Sequence, residues 1–310
     1  MSRRFLSVLF CVILLCGCVY PKQSAADGIT FTDDTGAEVT VPKKPETVAV
    51  LLSSLADLWI TAGGEVDITV GETVERGFVN GDVILVDAGA GKTVDLEPLI
   101  AAQPDFVLYA SDIAGQLECA ETLRAAEIPA AGFAVETLAD YLDLLKLCTE
   151  ILDTPENYEI YGVQLKNKVD SLLETAKNQS RQPEILFVRA GSSAKYTKAK
   201  TADNHFVCGM LKELGTFNIA EKAPVLLDGL SMEEILLSDP DAILFTTMGD
   251  ETAGAAYMES LVADTVWQNL TAVREGKVYQ LPKELFQYKP NARWDEAYAY
   301  LIELLYGDIL

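Results

Sequence analysis

Histidine is almost missing from this 310-residue chain, in which His205 is the single example. Zinc and manganese binding proteins need several histidines and carboxylates that converge on one ion. A serine hydrolase needs a histidine beside its nucleophile, and His205 has no nucleophile in a matching sequence context. The sequence therefore argues against both classes, and we expect neither an enzyme nor a resident cofactor or metal.

Basic residues are also scarce, since 24 Lys and Arg stand against 47 Asp and Glu and give a formal net charge of −23. Nucleic-acid binding needs clustered positive charge, so we expect no nucleic-acid partner. The apolar run at residues 5–15 follows Arg3 and Arg4 and is too short to span a membrane. Its length is typical of the apolar part of a signal peptide.

The apolar run ends in LCGC (residues 15–18), which resembles a bacterial lipobox, where a small residue precedes a cysteine that receives diacylglycerol. The resemblance implies a lipoprotein signal peptide at residues 1–17, lipidation of Cys18 and a tether at residues 18–28. We therefore expect a protein anchored by lipid to the outer face of the cytoplasmic membrane. A plain signal peptide or an uncleaved anchor is the alternative.

Cysteines outside the predicted signal peptide are few. Besides Cys18 they are Cys119, Cys148 and Cys208. An odd set at irregular spacing predicts no disulfide framework, and a Cys119–Cys148 bridge has no support in the sequence.

One pattern occurs twice, in DLEPLIAAQPDFVLY (residues 95–109) and SMEEILLSDPDAILF (residues 231–245). Each copy predicts a short helix, a Pro-Asp turn and a buried strand. The repeat therefore predicts two related α/β lobes with a cleft between them. The identical positions are Glu97/Glu233, Pro104/Pro240, Asp105/Asp241 and Leu108/Leu244.

Strand candidates alternate with helical stretches, which favours parallel sheets flanked by helices. The strand candidates are TVAVLL, ITVGE, DFVLYA and IPAAGF in the first half, then EILFVR, PVLLDG, DAILFTT and KVYQLP. Between the halves, Thr154 as a cap and Pro155 at the first helical position begin one long helix. We predict an N-terminal lobe at residues 29–153, a connecting helix at 154–180 and a C-terminal lobe at 181–310.

The chain resembles the class III bacterial solute-binding proteins, which deliver ferric siderophores, haem or cobalamin to ABC importers. The resemblance rests on ITFTDDTGAEVTVPKKPETVAVL, on LEPLIAAQPD and MEEILLSDPD, on MLKELGTFNIAEK and on the C-terminal WQNLTAVREGKVYQLP. It implies two Rossmann-like lobes joined by one long α-helix, with the ligand cleft between them. It also implies a monomer whose partners are an ABC permease dimer and its ATPase.

In that family one glutamate on each lobe docks into arginine pockets of the permease, and the matching positions here are Glu97 and Glu233. A purely structural role is the alternative. Both acids fall in the first turn of a predicted helix, where the macrodipole favours negative charge. Ser231 and Glu234 form a capping-box pattern that leaves Glu233 free to point outward.

Ligands of open α/β sheets lie beyond the carboxyl ends of the strands. This rule selects Ser53, Ser54 and Ser111 in the first lobe, and Arg189 and Met248 in the second. The stretch at residues 185–200 has four basic residues and no acid, so it favours an anionic ligand. A solvated loop that balances charge is the alternative. The candidates in this stretch are Arg189, Lys195, Tyr196, Lys198 and Lys200.

His205 stands where the helix HFVCGMLKELG is predicted to begin. It is a candidate axial haem ligand, with Met248 as a weaker partner, and a residue at the helix start is the simpler interpretation. We therefore expect a receptor for an iron chelate or haem. The alternatives are a corrinoid receptor, and a sensor or secreted enzyme on the same scaffold.

Overall fold

The computed structural model describes residues 28–87, 93–307 and 309. The predicted signal peptide, the lipidation residue Cys18 and all of the tether except residue 28 lie outside the described residues. Within the described part of the chain, no helix combines the length and the apolar character needed to cross a membrane.

A hairpin of β1 (Gly28–Thr32) and β2 (Glu38–Pro42) opens the described chain. Buried Asp33 builds its turn, because Oδ1 accepts hydrogen bonds from the N–H groups of Thr35 at 2.9 Å and Ala37 at 3.0 Å. Oδ2 of the same residue accepts from Gly132 N at 2.8 Å, which fastens the hairpin to the first sheet.

The N-terminal lobe contains a parallel five-stranded sheet in the order β5-β4-β3-β6-β7, and its four predicted strands are present. The strands are β3 (Val48–Val50), β4 (Ile68–Thr69), β5 (Ile84–Leu85), β6 (Phe106–Ala110) and β7 (Ala130–Phe133). The helices are α1 (Ser53–Thr61), α2 (Gly71–Glu75), α3 (Leu96–Ala101), α4 (Ala114–Ala125) and α5 (Leu138–Leu152).

The connection between the lobes is helical throughout, as α6 (Pro155–Tyr158), a π-helical turn (Glu159–Gln164) and α7 (Leu165–Lys177). The π turn holds one extra residue, and the Tyr161 carbonyl accepts a hydrogen bond from the Tyr141 hydroxyl at 3.1 Å. Tyr161 lies in this turn, and its side chain is 39% exposed. Thr154 occupies the cap position, but its hydroxyl donates to Ala62 O instead of capping.

The C-terminal lobe contains a second sheet, with parallel strands in the order β10-β8-β11-β12 and β9 antiparallel to β8. The strands are β8 (Glu184–Ala190), β9 (Lys198–Ala199), β10 (Phe217–Asn218), β11 (Ala242–Thr247) and β12 (Val278–Gln280). The helices are α8 (Phe206–Glu213), α9 (Met232–Ser238), α10 (Glu251–Val262), α11 (Thr271–Arg274), α12 (Lys283–Phe286) and α13 (Trp294–Tyr306).

The strand prediction for PVLLDG is wrong, since Pro224–Leu227 forms a 3-10 helix. Pro224 occupies its first turn, where the missing N–H costs no hydrogen bond. The remaining architecture agrees with the prediction of two α/β lobes, each with a mainly parallel sheet, joined by a long helical connection.

The repeated Pro-Asp turn has the same structural role in both lobes. Asp105 Oδ2 accepts from the N–H groups of Glu46 and Thr47, just before β3. Asp241 Oδ2 accepts from Glu184 N at the start of β8. In each lobe the turn therefore ties the beginning of one strand to the beginning of its neighbour. The predicted Ser231 capping box does not form, because the Ser231 side chain caps no N–H group.

The largest apolar core extends through both lobes and the connection. Leu165 and Val169 of the connecting helix are buried in it, together with Tyr141 of the N-terminal lobe and Trp294 of the C-terminal lobe. Two smaller clusters cover the other faces of the two sheets. The connecting helix is therefore packed against both lobes. The sheet edges at the carboxyl ends of the strands in the two lobes face each other.

Candidate functional site

The carboxyl ends of β3 and β6 are tied together by a buried glutamine. Gln116 Nε2 donates to Leu51 O at 2.6 Å, and its Oε1 accepts from Ala110 N at 2.7 Å. This residue has no exposed surface. It therefore holds together the strand ends after which Ser53, Ser54 and Ser111 follow.

Arg76 joins the two lobes at this edge, although nothing in its sequence context indicates it. Its side chain is only 7% exposed, and its guanidinium carbon lies 4.5 Å from the Phe78 ring centroid and 3.8 Å from that of Tyr288. The guanidinium also pairs with Glu284 of the C-terminal lobe at 3.5 Å. Aromatic rings on a desolvated cation stabilise this contact.

Ser53 and Ser54 belong to the Arg76 network. Arg76 donates to Ser53 Oγ at 3.1 Å and to Ser54 Oγ at 3.4 Å, and Ser53 Oγ in turn donates to Glu72. Ser53 has no exposed surface and Ser54 has 8%. In this arrangement both hydroxyls stabilise the junction of the lobes and are not open to a ligand.

Asn291 forms a second junction. Its Nδ2 donates to Ser54 O and to Asp57 Oδ2, both at 2.8 Å. Burial raises the pKa of Asp57, and the hydrogen bond from Asn291 partly offsets this rise.

A further contact between the lobes lies nearby, where Lys289 Nζ pairs with Glu136 Oε1 at 2.6 Å. Residues from both lobes line a cavity of about 30 Å³ here, among them Leu52, Ser54, Asp112, Glu136, Lys289 and Asn291.

Three basic side chains lie on one face of the β8–β9 ladder. Arg189 is directly opposite Lys198 in the antiparallel register. Lys200 is two residues beyond Lys198, so its side chain is on the same face, and its N–H donates to Phe187 O at 3.1 Å. All three are half-buried. We call Arg189, Lys198, Lys200 and the nearby Lys289 the cationic cluster.

Few acidic side chains neutralise the positive charges of the cationic cluster. Among the described residues, Glu136 is the only acid in an ion pair with one of its four members. Burial lowers the pKa of Arg189, and burial followed by repulsion from Arg189 and Lys198 lowers that of Lys200. Like charges opposite each other on a sheet are destabilising, so the arrangement costs stability in the absence of an anion.

His205 lies beside the cationic cluster and caps α8. Its Nδ1 accepts a hydrogen bond from Val207 N at 3.3 Å, and its ring centroid is 4.7 Å from that of Phe187. Burial, followed by the charges of Lys289, Arg189 and Lys200, lowers its pKa to about 3. The ring is therefore neutral with its proton on Nε2, which leaves no free lone pair for a metal while the cap is formed.

The loop between β8 and β9 is folded tightly. A Cβ on Gly191 would come within 2.4 Å of Tyr196 Cβ, so only glycine fits there. Buried Thr197 accepts from Gly191 N at 3.1 Å. Lys195 and Tyr196 are exposed at its tip, where Lys195 Nζ is 5.2 Å from the Tyr196 ring centroid. The two candidate residues at the tip are therefore more exposed than the half-buried Arg189, Lys198 and Lys200.

A comparison of the sequence with known families identifies the protein family. The sequence profile of the family described as periplasmic binding protein matches residues 48–285. The chain belongs to the periplasmic binding protein family. This confirms the family that the repeat and the C-terminal motifs indicated.

This periplasmic binding protein is similar to two bacterial proteins in sequence and to one bacterial crystal structure in fold. In Bacillus subtilis (strain 168), the "Putative ABC transporter substrate-binding lipoprotein YhfQ" is 23% identical over 96% of this chain and 95% of its own. The "Fe(3+)-citrate-binding protein YfmC" of the same strain is 23% identical over 91% of each chain. The crystal structure of a periplasmic solute binding protein from Veillonella parvula DSM 2008 has a TM-score of 0.70, with 21% identity, over 91% of this chain and 87% of that one.

The other predicted positions of this periplasmic binding protein are distributed as follows. Ser111 and Met248 are half-buried at strand ends, and the Met248 N–H donates to Ala190 O at 2.8 Å. Glu97 and Glu233 are exposed, and their carboxylates form no hydrogen bond or ion pair with any described residue. Cys119, Cys148 and Cys208 are free and buried. The structure describes no group of three or more His, Cys, Asp or Glu residues suited to a metal ion.

Proposed function

We propose that this protein is the extracytoplasmic receptor of an ABC importer and that its ligand is an anionic iron chelate. The family membership and the names of two relatives support the importer role. Its partners are an ABC permease dimer with its ATPase, and it works as a monomer without catalysing a reaction.

The cationic cluster is the observation that carries the ligand assignment. In a chain with a net charge of −23, four basic side chains lie near one strand-end edge, and within the described part of the chain Glu136 is the one acid that pairs with them. A ligand with several carboxylate or catecholate oxygens would neutralise the opposed Arg189 and Lys198 and would accept charge-assisted hydrogen bonds from both. The low-dielectric walls of the cleft strengthen this attraction.

A carboxylate chelate such as ferric citrate fits this chemistry best. Haem is less well supported, because His205 uses Nδ1 as a helix cap and carries its proton on Nε2. A corrinoid is the second alternative, and it would need a neutral surface where the cationic cluster lies. The cavity of about 30 Å³ between the lobes is far below the roughly 300 Å³ of a small ligand pocket, so the lobes separate when the chelate enters.

Glu97 and Glu233 are the proposed docking residues for the permease. Each is exposed near the start of its helix, and the two helices occupy equivalent places in the two lobes. A pair of equivalent acids suits two permease subunits related by a twofold axis. Lipidation of Cys18 and a location on the outer face of the cytoplasmic membrane complete the proposal.

The ligand assignment is tested with an Arg189→Ala/Lys200→Ala variant. We expect its affinity for ferric citrate to fall by about 100-fold or more, since the variant loses two charged hydrogen bonds that contribute about 1.5–3 kcal/mol each. Binding of a neutral ferric hydroxamate measured in parallel controls for a general defect. Wild-type affinity for ferric citrate in the double variant would contradict the proposal.

A further inference from the structure

The helix that carries Glu233 has an apolar outer face. Leu236 and Leu237 follow Glu233 at the i+3 and i+4 positions of α9, so the three side chains share one side of the helix. Leu237 is 80% exposed and Leu236 is 39% exposed. Ile235 on the opposite side is fully buried, and this fixes which residues face outward.

The rotation of α9 is also fixed at its C-terminal end. Asp239 adopts a left-handed conformation with φ of 42°, and its carboxylate accepts from Thr271 N and Thr271 Oγ1, both at 2.7 Å. The exposed leucines are therefore held in place by the fold. Single exposed apolar residues are common, but two adjacent ones beside an unpaired acid form a patch.

The equivalent helix in the N-terminal lobe lacks this patch. In the repeat, Glu97 aligns with Glu233, Ile100 with Leu236, and Ala101 with Leu237. Both lobes thus present an exposed acid with an aliphatic residue at the i+3 position, and only the C-terminal lobe adds a large, mostly exposed aliphatic side chain at i+4. A structural requirement of the repeat would affect both copies alike, so the difference points to an external contact.

We propose that Glu233, Leu236 and Leu237 form one contact face for a permease subunit, which we call the acid-leucine face. This inference rests on the proposed importer function. The subunit is expected to present a cationic side chain next to aliphatic ones, because the face combines one carboxylate with two leucines. The two docking contacts are then unequal, with the larger apolar component at the C-terminal lobe.

The charge of the face argues against other occupants. Glu234 is the neighbour of Glu233, and α9 contains no Lys or Arg. A second copy of this chain would bring these acids together in a protein with a net charge of −23, which opposes association. An anionic lipid surface would be repelled for the same reason. A cationic protein surface is favoured.

The test measures binding of the full receptor to its permease–ATPase complex in lipid nanodiscs. We expect a Leu236→Ser/Leu237→Ser variant to bind the complex about tenfold more weakly or worse, and to stimulate its ATPase less. Ferric citrate affinity and the melting temperature should stay at wild-type values, because both side chains are exposed. Leu117→Ser is the matched control, since Leu117 is 41% exposed on α4 and lies outside the face.

Three results would overturn the proposal in different ways. If the leucine variant binds normally while Glu233→Gln binds weakly, docking depends on the acid alone. If sedimentation shows a wild-type dimer that the leucine substitutions dissociate while permease binding is unchanged, the face joins two copies. If Glu97→Gln/Glu233→Gln also binds normally, the docking part of the proposed function fails as well.

Discussion

At the scale of single residues, His205 links the candidate site to the stability of the fold. Its neutral ring caps α8 and packs against Phe187 and Phe206. Lys289, Arg189 and Lys200 oppose its protonation together with burial. The same cations that favour an anionic ligand therefore contribute to a loss of folding stability in acid, where His205 would gain a proton on unfolding.

The stability of the protein should fall in acid because of His205. An unfolded histidine titrates near pH 6.5 and the folded one at about 3, so the unfolded state binds one proton more between these values. Lowering the pH from 7 to 5 then removes about 2 kcal/mol of unfolding free energy through this residue. Urea unfolding at both pH values measures the loss.

His205→Asn is the appropriate comparison, because asparagine caps a helix but does not titrate. The difference in unfolding free energy between pH 7 and pH 5 should be smaller in this variant by about 2 kcal/mol. Carboxylates titrate equally in both proteins and cancel. An identical pH dependence in the two proteins would show that His205 is protonated in the folded state at pH 5.

At the scale of elements, the β8–β9 ladder holds three residues of the candidate site, and the repulsion between their positive charges destabilises it. Lys198→Gln should leave the unfolding free energy unchanged or raise it by up to about 1 kcal/mol, because it removes a like-charge pair with Arg189. The same substitution should weaken ferric citrate binding about tenfold, which corresponds to about 1.4 kcal/mol. Denaturant unfolding and a ligand titration measure the two effects.

Lys212→Gln provides the control, since Lys212 is an exposed lysine on α8 of the same lobe. It should change neither property. A purely structural Lys198 would give the opposite pattern, with lower stability and unchanged affinity, and this outcome would remove Lys198 from the site.

The repeated elements were predictable from the sequence because they are local. A short helix, a Pro-Asp turn and a buried strand each leave a pattern within fifteen residues. In both lobes the aspartate then accepts from an N–H group at the beginning of the neighbouring strand in the sheet. The π turn at residues 159–164 was not predictable, because one extra residue in a helical turn does not change the amino-acid composition of the helix. The PVLLDG error has a similar origin, since a short apolar run fits a strand and a 3-10 helix equally.

At the scale of the whole molecule, the contacts between the lobes could not be predicted from the sequence. Arg76 and Tyr288 are far apart along the chain, and neither belongs to a motif. The strand-end rule selected Arg189, which lies in the cationic cluster, and also Ser53, which the Arg76 network buries. Side chains at the same edge can serve the ligand or the junction, and only the three-dimensional contacts distinguish these roles.

The Asn291 junction should contribute measurably to overall stability. Asn291→Gly removes two hydrogen bonds and leaves the half-buried Asp57 without this donor, so we expect a loss of about 1–3 kcal/mol in unfolding free energy. Asn291 has φ of 48°, which glycine adopts without strain. Gln103→Gly is the control, because Gln103 is exposed with φ of 46°. Equal unfolding midpoints for the two variants would contradict a structural role for this junction.

The central claim is that the cleft of this protein receives an anionic iron chelate. Intrinsic fluorescence is a suitable probe, since Trp294 lies 6.0 Å from Phe206, whose ring stacks on His205 beside the cationic cluster. The decisive measurement is a titration of the purified protein with ferric citrate, haem, cobalamin and a neutral ferric hydroxamate. Saturable quenching is predicted with ferric citrate, at an affinity that falls with added salt. Saturable binding of cobalamin or the neutral hydroxamate, with no response to ferric citrate, would contradict the claim.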